Sequence, residues 1–131
     1  MKVEQTASAS PYEAAFGFAR AVRLGNRILV SGTAPVEPDG SSTSGDAAVQ
    51  ARRCFAIILG AIEELGGSAA DIGRTRMYIT DAADGEAVGA VHGELFRGIR
   101  PASTMVVVAA LLRPEWRVEI EAEALIADDT D

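Results

Sequence analysis

Ser103-Thr104-Met105-Val106-Val107-Val108-Ala109, with Val118-Glu119-Ile120-Glu121-Ala122-Glu123-Ala124 a short loop later, decides the fold. The first stretch is apolar on both of its alternating sides. The second sets Val118, Ile120, Ala122 and Ala124 against Arg117, Glu119, Glu121 and Glu123, the two-residue period of a strand with one buried face. Both read as strands, over 103–109 and 116–126.

Working outward, residues 74–80 alternate in the same way, with Thr75, Met77 and Ile79 facing one side and Arg74, Arg76 and Tyr78 the other. A helix is expected from about Asp84 to Gly98, with Val88, Val91, His92 and Leu95 on one stripe, because Pro101 forces its predecessor out of helical geometry. A longer helix runs from about Asp46 to Leu65. There Ala51, Phe55, Ile58, Ile62 and Leu65 recur at spacings of four and three, Ser44 or Asp46 can cap the start, and Gly66-Gly67 can end it. Pro35 through Gly45 is too rich in breakers to be regular, and reads as an exposed loop. Residues 18–24 and 26–32 form an opening hairpin around Leu24-Gly25-Asn26.

The order is therefore β-β-α-β-α-β-β in one domain spanning 1–131: an α+β fold with two helices against one sheet. Two helices cover one face of a sheet, yet the 103–109 strand is apolar on both. No further element remains to cover the second face, so another copy of the chain is expected there, with small-molecule pockets between subunits.

Composition narrows the function. At 131 residues one core is affordable, since a domain of this size buries roughly two-thirds of its extended surface. Twelve basic residues against nineteen acidic ones leave a formal charge of −7, which repels phosphate backbones and anionic lipid, so nucleic acid and membranes are not expected partners. Asp128, Asp129 and Asp131 read as a solvated tail. Cys54 is the only cysteine, which excludes an intrachain disulfide; no secretory or membrane-spanning run is visible, and a reducing cytoplasm is the expected address. With one cysteine and one histidine there is no zinc-type cluster, and no metal is expected. Phosphate-binding glycine loops and nucleophile elbows are absent. His92 reads as a core or interface histidine, Cys54 as an inert helix thiol, and Trp116 as a packing or interface residue.

Four pieces remain: Leu24-Gly25-Asn26, Val30-Ser31-Gly32-Thr33-Ala34-Pro35, Arg100-Pro101-Ala102-Ser103-Thr104 and Val118-Glu119-Ile120-Glu121-Ala122. In this order and spacing, from about Phe16 to Ala124, the chain resembles the reactive intermediate deaminase family, also called RidA or YjgF. The resemblance implies a chorismate-mutase-like fold with a mixed sheet, a homotrimer with a cleft at each subunit interface, and hydrolysis of 2-imino or 2-enamino acids to 2-keto acids and ammonia. It implies no metal or organic cofactor. In the family an arginine directly after the Pro-Ala pair grips the substrate carboxylate, and a glutamate of the last strand helps position water.

Here that arginine position is Ser103, the family's tyrosine near the first strand is Phe18, and its asparagine in the second helix is Gly89. Leaving a buried carboxylate without its fork of donors costs about 2–5 kcal/mol, so the cleft suits a neutral or less polar ligand. On this reading Glu119 is the catalytic acid or base, and Phe18, Arg20, Ser31, Gly32, Thr33, Ser103 and Met105 contact the ligand. Arg20, two residues from Phe18 and so on the same strand face, either reaches into the cleft in place of the missing arginine or serves an ion pair. The rival reading is a non-catalytic module that binds a metabolite or a protein on the same fold; isomerase chemistry of the chorismate mutase kind ranks last.

Overall fold

The computed structural model describes residues 3–127; the acidic tail at 128–131 lies outside them. Six strands form one sheet: β1 (Val3–Thr6), β2 (Ala21–Leu24), β3 (Arg27–Thr33), β4 (Ile72–Ile79), β5 (Ala102–Val107) and β6 (Val118–Leu125), in the spatial order β1-β2-β3-β6-β4-β5. Three α-helices accompany them: α1 (Tyr12–Phe16), α2 (Ala47–Glu64) and α3 (Gly85–Phe96), with short 3-10 turns at Ala69–Asp71 and Ala82–Asp84. The sheet is mixed, since β5 runs parallel to β4 while every other pair is antiparallel.

The longer elements follow their periodicity. Asp46 caps α2 by accepting from the Val49 amide at 3.0 Å, and Gly66, at φ 92°, follows its last turn. The stripe Ala51, Phe55, Ile58 and Ile62 is fully buried against the alternating face of β6, where Val118, Ile120, Ala122 and Ala124 are buried in turn. The hairpin turns at Gly25, whose φ of 62° suits a residue without a side chain. β2 itself is shorter than expected: Phe18 and Arg20 precede it.

Three expectations need correction. The chain opens with β1 and α1, which lengthen the expected order by a strand and a short helix; β1 pairs with β2 from Val3↔Leu24 to Thr6↔Ala21. On α3 the buried residues are Val88, Val91 and Phe96, while Leu95 is exposed. The stripe is rotated toward α2, so that the larger Phe96 ring packs on Phe55 with centroids 5.4 Å apart. Finally, β5 ends at Val107 and is an edge strand, with Val106 and Val107 exposed. The sheet face away from α2 and α3 is also more charged than the 103–109 stretch suggests. Arg74 and Arg76 on β4 pair with Glu121 and Glu123 on β6, Arg27 on β3 joins Glu123, and Tyr78 donates to Glu121. Exposed apolar side chains include Val106 and Val107 on the β5 edge, and also Phe16, Phe18 and Leu112 away from it.

Candidate functional site

Between β3 and β6 the pairing register slips: Val30 pairs with Ala122 and Thr33 with Ile120, so Ser31 and Gly32 face a single residue of β6. A bulge of this kind breaks the ladder and re-aims neighbouring side chains. Glu119 fills the space that opens. Its carboxylate lies against Gly32 so closely that a Cβ built there would stand 2.6 Å from Oε2. A side chain at position 32 would push the carboxylate from its place.

The side chain of Glu119 faces a cavity of about 340 Å³. Four of the seven aromatic residues in the sequence gather around it: Tyr12 and Phe16 from α1, Phe18 from the segment after it, and Trp116 from the loop before β6. Leu112 adds an aliphatic wall. Among the described residues Glu119 has no hydrogen-bond or ion-pair partner. Burial raises its carboxyl above the ordinary glutamate value; Arg20 draws it partly back and Glu121 pushes it further up. A carboxyl in this environment can hold its proton closer to neutral pH than a solvated one, which suits it to exchange protons with a bound molecule.

Phe18, Arg20, Ser31, Gly32 and Glu119 all line this one cavity. Arg20, however, is spoken for. Its Nε donates to Glu13 at 3.0 Å, its Nη1 donates to the Gly32 carbonyl at 2.6 Å and to the Thr33 hydroxyl at 2.9 Å, and its guanidinium lies 5.6 Å from the Phe18 ring centre. It is a buried ion-pair residue that ties α1 to the bulge, not a free substitute for the missing arginine. Thr33 is buried behind the cavity and does not line it; its hydroxyl donates to the Ser31 carbonyl at 2.8 Å. The Ser31 hydroxyl donates to the Ala19 carbonyl at 2.7 Å, which fixes the segment carrying Phe18.

Ser103 and Met105 stand apart. They pair with Thr75 and Met77 of β4 on the helix side of the sheet, two strands from β6, whereas Glu119 points to the opposite side. Within one chain they do not reach the Glu119 cavity. Ser103 instead ends a hydrogen-bonded row: the fully buried Thr75 hydroxyl lies 2.8 Å from Ser103 Oγ and 2.8 Å from His92 Nε2. The His92 ring packs against Phe96 and Phe55 at centroid distances of 4.7 and 5.8 Å, and burial lowers its pKa. Cys54 is buried, and burial pushes its thiol far up, out of the reactive range.

Sequence reasoning missed Tyr12, Phe16, Leu112 and Trp116 as cavity residues, the last having been read only as a packing or interface residue. The only available signal was the concentration of scarce aromatics within Tyr12–Phe18, in a segment too short to show a period. It also missed Thr75 as the link between Ser103 and His92, which a parallel pairing of distant strands creates.

Residues 8–126 match the family Ribonuc_L-PSP, described as Endoribonuclease L-PSP. The chain is 38% identical over 122 residues, 93% of its length and 91% of the relative's, to an uncharacterized protein of Streptomyces coelicolor. It is 32% identical over 111 residues, 82% of its length and 86% of the relative's, to the 2-iminobutanoate/2-iminopropanoate deaminase of Escherichia coli. It superposes with a TM-score of 0.87 on the crystal structure of Rv2704 from Mycobacterium tuberculosis, a member of the YjgF/YER057c/UK114 family, at 38% identity over 95% of this chain and 100% of that one.

Proposed function

This chain belongs to the Ribonuc_L-PSP family, the family of YjgF and RidA, and from that premise we propose that it holds a small molecule in the Glu119 cavity and hydrolyses a C=N bond there. The observation that carries the proposal is the unpartnered, partly buried Glu119 carboxyl over the Gly32 bulge. Its role is to position a water, take a proton from it as its oxygen adds to the C=N carbon, and return a proton to the departing nitrogen. The work is done without a metal or organic cofactor.

The cleft is completed by a second copy of the chain, in a homotrimer. Ser103 and Met105 are expected to contribute to it from the neighbouring subunit's β5, the exposed apolar edge. RNA is not the substrate on this reading, because a formal charge of −7 opposes binding of a phosphate backbone.

The test is ammonia release from imines generated in the assay by an amino-acid oxidase. Wild-type protein is expected to release ammonia faster than the Glu119→Ala variant; equal rates for the two would sink the hydrolase reading. Ser103 at the arginine position and the prior engagement of Arg20 with Glu13 favour a second reading, a binding module that uses the same cavity without turnover. That reading predicts ligand-induced thermal stabilisation with no ammonia release.

A further inference from the structure

We propose that Thr75 and His92 are positioning residues for Ser103: they turn its hydroxyl outward as a hydrogen-bond donor, so that the ligand group it meets is an uncharged acceptor, a ketone or amide oxygen. This rests on the reading that a neighbouring copy brings Ser103 to the Glu119 cavity, and it goes on to name what the ligand presents there.

The row has three members and two short contacts. Thr75 is fully buried, and its hydroxyl lies 2.8 Å from Ser103 Oγ on one side and 2.8 Å from His92 Nε2 on the other. A hydroxyl has one proton to give, and burial makes an unused proton costly, so Thr75 donates to one neighbour and accepts from the other. It donates to Ser103 Oγ. His92 Nε2 then carries the proton that Thr75 accepts. The surroundings of His92 favour the same tautomer. Its ring packs on Phe55 and Phe96, and it lines a groove of about 340 Å³ together with Arg97 and Arg100. Glu94, which interacts with Arg97, is already held by Arg52 at 2.8 Å. Two cations at the groove oppose a further N–H there and leave Nδ1 as the bare, accepting nitrogen.

Ser103 makes no other hydrogen bond among the described residues, and it is exposed on β5. With its oxygen accepting from Thr75, the proton of Ser103 is the one left for a ligand. One neutral donor does not hold a carboxylate as a guanidinium fork does, whereas a ketone or amide oxygen needs only the single donor. The aromatic walls of Tyr12, Phe16, Phe18 and Trp116 suit an apolar ring beside that oxygen.

Acetophenone and ethylbenzene, which share a ring and a shape and differ by a carbonyl oxygen, are the probes, titrated by NMR into the wild-type protein and its variants. Ser103→Ala is expected to weaken acetophenone binding about fivefold and to leave ethylbenzene unchanged. Thr75→Val should do the same with the Ser103 hydroxyl still in place, and Thr75→Ser should restore the affinity. His92 is the single histidine of the chain, so its ring nitrogens give an unambiguous nitrogen NMR signal; Nε2 is expected to carry the proton at neutral pH. A proton on Nδ1 alone would overturn the proposal, even if Thr75→Val failed to fold. Equal weakening of both probes, undiminished acetophenone binding in Ser103→Ala, or no binding of either probe at millimolar concentration would overturn it as well. Ammonia release compared with Glu119→Ala decides separately on the hydrolytic reading.

Discussion

The residue that concentrates the cost of this site is Glu119. Its carboxyl is raised by burial, so ionising it in the folded protein is harder than in the unfolded chain, and at neutral pH that ionisation works against folding. As pH falls through the raised folded value the carboxyl takes up its proton and the penalty disappears. Glu119→Gln is therefore expected to melt above wild type at pH 7, with the gap narrowing as pH falls from the raised folded value toward the ordinary glutamate value and closed below it; calorimetric scans across pH check this. Gly32→Ala probes the same carboxylate from below. The added methyl meets the far end of a flexible side chain and not backbone, so stability should change by less than about 1 kcal/mol while Glu119 is pushed from its place and ammonia release from imines drops. Glu119, Gly32 and Ser31 lie in short ordered pieces of the sequence, and Phe18 comes from the family resemblance; all four line one cavity. The pairing of Arg20 with Glu13 was not, because it depends on the five-residue α1, whose C-terminal Gly17 at φ 76° turns the chain back so that these two residues meet.

At the scale of elements, the sequence was most readable where a period could repeat. α2 carries five turns of apolar stripe and its own cap, and both ends were placed within a residue or two. Asp46→Ala should lower stability by about 1 kcal/mol through loss of the cap to the Val49 amide, measured by urea unfolding with an unchanged slope. β4 and β6 declared themselves through alternation, and their buried faces are the ones expected. β1, four residues of Val-Glu-Gln-Thr, had no such pattern, and its pairing with β2 is a matter of tertiary partnership. The misjudged element was β5. Apolar residues on both sides suggested a strand enclosed on both faces, yet the parallel return from β4 through α3 leaves β5 at the rim. Neither its edge position nor the Thr75 link to Ser103 and His92 follows from local pattern.

For the molecule as a whole, the two sides of the sheet divide the work. α2 and α3 cover one side, while the other carries charged pairs across β3, β6 and β4 and opens toward Glu119. No helix among the described residues is long and apolar enough to cross a membrane. Exposed Val106 and Val107 on an edge strand with unpaired backbone groups form a ready surface for another chain. The proposed trimer needs a second copy to bring Ser103 and Met105 to the cavity that holds Glu119, since within one chain they do not reach it. Sedimentation velocity of the wild-type protein at micromolar concentration is the most direct check on this account. It should give one species at three times 13.7 kDa, and a stable species of 13.7 kDa would contradict it.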